Sequence, residues 1–274
     1  MKKAFLQFLV LLVVFFSSWL LLSQLNFMKY IHVDKFTKKT EHKLGDLIMD
    51  NIREQKKEIN NDSVQKVLNE LKLRICSNNN INADDIKLHL FSSEEINAFT
   101  LPDKHMIIYT GLIKYCKNAD ELAGVMAHEI GHMEKNHVMK KLVKETGLAV
   151  VVSIASGSGN PAVITKILQL LSSTAFDRKQ ESEADAYAVR YLKNAHIDPA
   201  ALANLFTRLR YDKPATSGQF DVISTHPSSK DRAAEILKLR GPDTYVTIYT
   251  PALDSTSWHT LKSAADNYFS GYNN

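Results

Sequence analysis

The stretch GVMAHEIGHMEKNHV, residues 124–138, constrains the fold more than any other part of the chain. It places His128 and His132 four positions apart, with Glu129 directly after the first histidine. On a helix, positions i and i+4 lie on one face, so both imidazoles can point at one metal ion. Glu129 flanks that face, where its carboxylate can take a proton from a metal-activated water. The motif therefore predicts a helix whose inner face builds a metal site.

The residues around the motif argue against the main alternative, a pair of histidines on a solvated helix face. Apolar side chains recur at helical spacing and predict a half-buried helix: Leu122, Val125, Met126, Ile130 and Met133. Buried charge needs a partner, and a metal supplies one. Imidazole ligands favour one zinc ion per chain, with a third protein ligand and an open position for water. The capping pattern Asn118-x-x-Glu121 predicts that this helix runs to about Thr146.

The third ligand does not follow in the same stretch. A metzincin would carry a ligand six residues after His132, where this chain has Val138, and a glycine at position 135, where it has lysine. His137 lies about 140° around the helix from His132, so we expect it to point away from the metal as a surface or supporting group. The remaining ligand is therefore expected farther along the chain.

A cluster of carboxylates in FDRKQESEADAYAVRYL, residues 176–192, can supply that ligand. Glu181 and Asp185 share a face of a predicted helix, which suits a zinc ligand and a carboxylate that orients a ligand imidazole. Glu183 lies about 200° from Glu181 and is expected to be solvated or paired. Arg178 can pair with a carboxylate or stabilise an oxyanion, and we favour pairing. An acidic, solvent-exposed face is the alternative for the whole cluster.

Composition and charge indicate a globular protein rather than a nucleic-acid binder. The chain has 274 residues, of which 45% are hydrophobic, and its net charge of +4 comes from scattered lysines. We therefore expect no nucleic-acid partner. Cys76 and Cys116 lack the C-x-x-C spacing of a zinc knuckle. They form either one disulfide or two buried thiols, and the sequence does not decide between these.

The N-terminus carries an uncharged, apolar stretch at residues 4–22. At about 1.5 Å per residue it is just long enough to cross the hydrocarbon core of a membrane. A cleaved signal peptide has a shorter apolar region and a small-residue cleavage site, so we expect an uncleaved membrane anchor, with a cleaved export signal as the alternative. Lys2 and Lys3 favour a cytoplasmic N-terminus, although four lysines between residues 29 and 39 oppose that orientation.

Four parts are expected along the chain. They are the anchor or signal segment at 1–27, a polar helical stalk at 28–60, the metal-binding domain at 61–240 and a C-terminal extension at 241–274.

Within the predicted domain, strands come before the motif helix. IKLHLF, residues 86–91, alternates with period two, and residues 97–113 predict a hairpin with a turn at Pro102-Asp103. The apolar stretch 147–171 is broken by a cluster of Gly and Pro, which favours two short packed helices over a second membrane span. The predicted fold class is α+β, mostly α, with a small hairpin or sheet beside the motif helix.

Five motifs, spread in order over residues 95–235, resemble the gluzincin metallopeptidase family that includes HtpX, the CAAX prenyl endopeptidase and the periplasmic beta-barrel assembly-enhancing protease. The matching segments are NAFTLPDKHMIIYTGLI, ELAGVMAHEIGHMEKNH, RKQESEADAYAVRYL, AHIDPAALANLF and THPSSKDRAAEI. In the family, the first residue of E-x-x-x-D is a zinc ligand. The resemblance therefore implies Glu181 as the third ligand, Asp185 as its supporting carboxylate, and a gluzincin-type fold.

Further site residues are implied by the same resemblance. The family's hairpin forms an edge strand against which an extended substrate lies. The residues placed there are Asn97, Ala98, Phe99, Thr110 and Gly111. The family's H-P motif falls on His226, which would approach the metal in catalysis or as an inhibitory plug, and its downstream basic residue falls on Arg232.

The function that these motifs imply is zinc-dependent hydrolysis of peptide bonds in protein segments, with Glu129 as the base. The integral-membrane relatives carry several spans, whereas this chain has one N-terminal segment, so the single-segment branch is expected. Membrane anchoring, a domain on the periplasmic side of a bacterial membrane and a role in envelope quality control follow as expectations. The competing class is a zinc-retaining chaperone or binding module with a plugged site. Partner proteins are not predicted.

Overall fold

The chain forms two compact units, residues 1–36 and 37–274. The computed structural model describes residues 2–24, 38–158, 160–212, 226, 230–242 and 248–270. The first unit contains helix α1, Lys2–Gln24, whose side chains at 7–18 are exposed. Within the described residues, no helix combines the length and the apolarity needed to cross a membrane. The anchor at residues 4–22 stays a prediction.

The second unit is mostly helical and has one small sheet among its described residues. Its strands are β1 Lys87–Phe91, β2 Ala98–Leu101 and β3 His105–Tyr109. Its helices are α2 Lys38–Gln55, α3 Asp62–Ser77, α4 Thr110–Tyr115, α5 Ala119–Glu134, α6 His137–Thr146, α7 Leu148–Ser153, α8 Pro161–Ser173, α9 Arg178–Asn194, α10 Ala200–Tyr211, α11 Lys230–Arg240 and α12 Ser255–Ser270. A π-helical turn, Ile154–Ser158, follows α7. The predicted α+β class is confirmed.

Helix α5 lies at the centre of the core. Every residue from Glu121 to Met133 is buried, and α5 packs against α9, α10 and the edge of the sheet. Apolar side chains from α3, β1, β3, α4, α9, α10 and α12 surround it. The motif helix is therefore enclosed on all sides, unlike a helix that lies on a protein surface.

The sheet places β3 in the middle, parallel to β1 and antiparallel to β2. Leu88 pairs with Met106 on the parallel side, and the turn between β2 and β3 has positive φ at Asp103. The predicted strand at 86–91 and the predicted hairpin are confirmed. β2 is one of the two edge strands, and all four of its residues are buried.

Thr110 and Gly111 do not belong to the edge strand, so that prediction is wrong. Both residues begin α4, after the central strand. The Thr110 hydroxyl donates to the Ser93 carbonyl at 2.9 Å, and the Gly111 N–H donates to the same oxygen at 2.8 Å. A Cβ on Gly111 would lie 2.5 Å from the carbonyl oxygens of Glu94 and Glu95. The preceding loop, rather than a substrate, occupies the space beside these two residues.

The predicted single helix from residue 118 to about 146 is also wrong, because it breaks after Glu134. Asn136 adopts a left-handed conformation with φ of 52°, and α6 begins at His137. The Lys135 N–H closes α5 by donating to the Gly131 carbonyl at 3.2 Å. The break changes the direction of the chain and returns His137 to the site.

The predicted polar stalk at 28–60 needs a correction over its described part. Helix α2 buries an apolar stripe and packs against α8: Leu44, Gly45, Ile48, Met49 and Ile52. A Cβ on Gly45 would lie 2.7 Å from the Pro102 carbonyl oxygen, so α2 also lies directly on the β2–β3 turn. α2 is a packed helix because apolar residues recur at helical spacing between its charged residues. Residues 28–37 lie outside the described residues.

The C-terminal extension contains a helix that the sequence did not indicate. α12 packs against α3 and α4 and buries Leu261 and Ala265 in the core. In the sequence, residues 245–249 also predict a short strand, and positions 245–247 of it lie outside the described residues. Cys76 and Cys116 are buried free thiols, and burial raises the pKa of Cys76 to about 11.

Candidate metal centre

Helix α5 carries three of the predicted site residues on its inner face. Its start is capped, since Asn118 Oδ1 accepts a hydrogen bond from the Glu121 N–H at 3.0 Å. The side chains of His128, Glu129 and His132 follow two to three turns later, and none is more than 2% exposed. Histidines four positions apart on this helix therefore face the protein interior together.

Helix α9 brings the acidic residues to the same place. It begins with a capping box, in which the Gln180 N–H donates to Asp177 at 2.9 Å and the Asp177 N–H donates to Gln180 at 3.2 Å. Glu181 and Asp185 are buried on its inner face. The shared face that their spacing predicts is therefore turned towards α5.

Gly131 allows α9 to come this close. A Cβ at this position would lie 3.1 Å from the Ala184 carbonyl oxygen and 3.2 Å from the Ala184 Cα. Contacts this short to backbone atoms leave little room for a methyl group. The glycine inside HEIGH therefore sets the distance between the helix of the histidines and the helix of the carboxylates.

Four donor groups converge on one point: His128, His132, Glu181 and His226, each offering one atom within 4.8 Å of the others. The Nε2 atoms of His128 and His132 lie 3.0 Å apart, and His128 Nε2 lies 3.2 Å from His226 Nδ1. Glu181 Oε1 lies 2.9 Å from His226 Nδ1 and 3.6 Å from His132 Nε2. All four side chains are buried.

These separations fit a zinc ion. Donors at about 2.0–2.1 Å from a tetrahedral zinc lie roughly 3.3 Å from one another, close to the 2.9–3.6 Å observed here. Imidazole and carboxylate are ligands that zinc prefers. Among the described residues, Glu129 forms no hydrogen bond through either carboxylate oxygen, so a buried base with unused acceptors lies beside the donors. The residues present therefore fit the predicted metal.

Asp185 links His128 to Arg232. Its Oδ1 lies 3.0 Å from His128 Nδ1, which leaves His128 Nε2 to face the donor cluster. Arg232 donates to both carboxylate oxygens at 2.7 Å and reaches Glu181 Oε2 at 2.6 Å. Burial opposes ionisation of Asp185, but Arg232 and His128 outweigh it and lower its pKa to about 2. Asp185 is therefore a charged acceptor that holds one tautomer of His128.

His226 fills the position that a catalytic zinc site keeps open. Its Nδ1 lies among the donors, and its Nε2 lies 3.2 Å from Glu129 Oε1. Burial alone would lower the pKa of His226, but the carboxylates of Glu181 and Glu129 outweigh it and raise this pKa to about 9. His226 therefore takes the fourth donor position and also lies next to the base, Glu129.

His137 is buried beside the site and is not one of the four donors, so of its two expected roles, surface group or supporting group, the structure shows the second. Its Nδ1 lies 3.0 Å from His132 Nδ1, and its Nε2 lies 3.4 Å from Glu183. Glu183 also pairs with Lys135 at 3.1 Å. One of two adjacent Nδ1 atoms must donate to the other, so His137 orients His132 while His132 Nε2 faces the donor cluster.

Phe176 and Lys141 were missed by sequence reasoning. The Phe176 ring lies 4.1 Å from the His132 ring and 5.6 Å from the His226 ring, between centroids. Lys141 covers the other side at 4.4 Å from the Phe176 ring and donates to the Thr174 carbonyl. Phe176 directly precedes the cap residue of α9, a position where apolar residues often pack, and this was the available signal.

Arg178 was predicted to pair with a carboxylate, and this prediction is wrong. It is exposed at the start of α9, and no ion pair is found for it among the described residues. Arg232, which comes from α11, takes that role because it reaches Glu181 and Asp185 from the buried side.

The proposed substrate edge is covered. Asn97, Ala98 and Phe99 are all buried, and α8 lies against β2. The Asn97 side-chain amide donates to the Ser172 carbonyl at the end of α8, at 3.2 Å. α8 therefore lies next to the strand on which an extended peptide was expected to pair.

The family model of peptidase family M48 matches residues 58–240, which contain all four donors, Glu129 and Arg232. The chain belongs to peptidase family M48. The resemblance inferred from the five motifs is thereby confirmed, including the branch with the beta-barrel assembly-enhancing protease.

The curated relatives of this chain are named as proteases. The beta-barrel assembly-enhancing protease of Escherichia coli (strain K12) is 25% identical over 207 residues, covering 71% of this chain and 42% of that protein. Metalloprotease LoiP of the same organism is 31% identical over 165 residues, 58% of this chain and 64% of LoiP. The mitochondrial metalloendopeptidase OMA1 of Schizosaccharomyces pombe is 29% identical over 179 residues, 65% of this chain and 53% of OMA1. The chain thus spans less than two thirds of each relative.

Proposed function

We propose that this M48 peptidase is a zinc-dependent endopeptidase that cleaves extended protein segments. The observation that carries the proposal is the buried cluster of His128, His132 and Glu181 with the Glu129 carboxylate beside it. Bound zinc would lower the pKa of a water molecule and polarise the scissile carbonyl. His128, His132 and Glu181 would hold the ion, and Asp185 would keep His128 in the binding tautomer.

Glu129 moves the proton in this scheme. A carboxylate oxygen of Glu129 accepts a proton from the attacking water and passes it to the leaving amine nitrogen. Neither oxygen forms a hydrogen bond within the described residues, but His226 Nε2 lies 3.2 Å from Oε1. His226 has to leave its position next to Glu129 before water and substrate can occupy it.

The test is a comparison of Glu129→Gln with the wild type on unfolded casein. We expect bound zinc to be retained and cleavage to fall by about 10²-fold or more, the usual contribution of a general base. Glu134→Gln is the matched control, since Glu134 ends the same helix and pairs with Lys104 near the surface. Full cleavage by Glu129→Gln, with the wild type active, contradicts the proposed mechanism.

A second candidate is supported by the position of His226. Four protein donors make a closed site, which is typical of structural rather than catalytic zinc. The chain would then be a binding or chaperone module that retains the metal. His226→Ala separates the two, because the peptidase proposal expects zinc to stay on three ligands and cleavage to change. Zinc retention without cleavage in both the wild type and His226→Ala would support the binding module.

Envelope protein quality control is our proposal for the biological role. The relatives include a protease named for beta-barrel assembly and a metalloprotease of the same bacterium, which supports proteins as substrates. We also propose that residues 4–22 anchor the chain in a bacterial membrane with the second unit on the periplasmic side. Extraction of membranes with carbonate tests the anchor. Protein that is released and lacks the first residues would favour the cleaved export form.

A further inference from the structure

Helix α7 exposes apolar side chains in almost every direction. Leu148 is 42% exposed, Val150 36% and Val152 49%, while Val151 points inward. The helix has no polar side chain before Ser153. A helix that is apolar all round is normally enclosed, either by protein or by lipid. Within the described residues, protein covers only the side of Val151.

The charges around this helix indicate which of the two it meets. No charged residue occurs from position 146 to position 165, and exposed Lys144 and Lys166 bracket this stretch. Lys43 of α2 comes from a third direction, with its Nζ 3.5 Å from the place a Cβ on Gly157 would take. Glu145 is the acidic group next to Lys144. An apolar segment flanked by lysines is the pattern of a protein surface that enters the headgroup layer of an anionic bilayer.

The position of the helix in the fold supports the same partner. The turn after α7 packs against α2, the first helix of the second unit. The apolar stretch at residues 4–22 precedes α2 along the chain. The turn after the exposed apolar helix therefore lies beside α2, which is the first helix of the second unit and follows residues 4–22 along the chain.

We propose that Leu148, Val150 and Val152 insert into the surface of an anionic lipid bilayer, with Lys144 and Lys166 contacting its headgroups. This apolar tip is a second membrane contact, separate from residues 4–22, and it holds the second unit against the bilayer. A protein partner would not require lysines on both sides of the uncharged stretch. The contact does not depend on the peptidase chemistry proposed above.

The experiment uses the full chain with an environment-sensitive fluorophore on Val152→Cys, bound to phosphatidylcholine vesicles with or without phosphatidylserine. Cys76 and Cys116 are buried, so they do not compete for the label. The matched control carries the label on Leu73→Cys, an α3 position that is 50% exposed. Because the readout is local, membrane binding by residues 4–22 does not affect it.

We expect the emission from position 152 to shift to the blue on anionic vesicles and to be quenched by brominated lipids, with no change at position 73. The double variant Lys144→Glu, Lys166→Glu should lose the shift, whereas Lys238→Glu on α11 should keep it. An unshifted emission on anionic vesicles overturns the proposal. An equal shift on neutral vesicles overturns the anionic assignment, and a shift produced only by unfolded casein replaces the lipid with a protein partner.

Discussion

Replacing Asp185 with asparagine tests how the tautomer of a metal ligand is held. Asp185 Oδ1 lies 3.0 Å from His128 Nδ1, so its charge favours a proton on Nδ1 and leaves Nε2 free for zinc. In Asp185→Asn, the side-chain amide accepts more weakly and can turn its NH2 group towards Nδ1. That orientation favours the proton on Nε2, the wrong atom for metal binding.

The expected size of the effect follows from the two partners of the Asp185 carboxylate, His128 and Arg232. Removing a carboxylate that orients a zinc ligand lowers metal affinity by about 10–100-fold, which corresponds to roughly 1.4–2.7 kcal/mol. Metal-free Asp185→Asn should also unfold more easily, because Arg232 loses the carboxylate with which it forms a buried bidentate ion pair. That loss should be about 3 kcal/mol, the lower end for a broken buried pair, since Arg232 keeps Glu181 at 2.6 Å.

Zinc affinity is measured by competition with a chromogenic chelator, and stability by urea unfolding with and without zinc. Asp198→Asn is the matched control, because Asp198 accepts a similar paired contact from Arg240, at 2.9 Å to Nη2, but lies outside the donor cluster. The control should lose stability and keep its zinc affinity. If Asp185→Asn binds zinc within about twofold of the wild type, the tautomer argument is wrong.

Three further changes test the site and the sheet. Gly131→Ala places a methyl group 3.1 Å from the Ala184 carbonyl oxygen, so calorimetry should show a stability loss of about 1–3 kcal/mol. Glu183→Gln removes the charge that holds His137 against the ligand histidine, so chelator competition should show zinc affinity about tenfold lower. Burial lowers the pKa of His105 to about 3 in the folded state, so the unfolded state takes up this proton first as pH falls below about 6.5. Urea unfolding should then show the free energy of unfolding falling by at most about 1.4 kcal/mol per pH unit between about pH 6.5 and about pH 3. In His105→Gln this fall should be less steep.

The contacts within one helix could be predicted because helical geometry relates neighbouring positions. His128 and His132 share one face of α5, and Glu181 and Asp185 share one face of α9, as their spacing of four indicates. The cap at Asn118 also follows from local chemistry. None of these predictions needs information about which helices meet.

The break after α5 could not be predicted from the same signals. No glycine or proline marks it, and the residue in the left-handed conformation is Asn136. Asparagine tolerates this conformation better than most residues but does not require it. The packing of α6, which buries Val138 and Leu142, selects the broken form, and this selection brings His137 onto His132.

The sequence by itself determined the donor types, the faces of α5 and α9 and the buried base, because these follow from residue chemistry and a helical repeat. Tertiary structure decided which groups meet. His226 comes to the donors from 45 positions beyond Glu181, and Arg232 replaces Arg178 as the paired cation. α8 packs against β2, the strand on which a substrate was expected to lie. Spacing along one helix sets angles within that helix, whereas the distances between helices depend on long-range contacts such as Gly131 against Ala184.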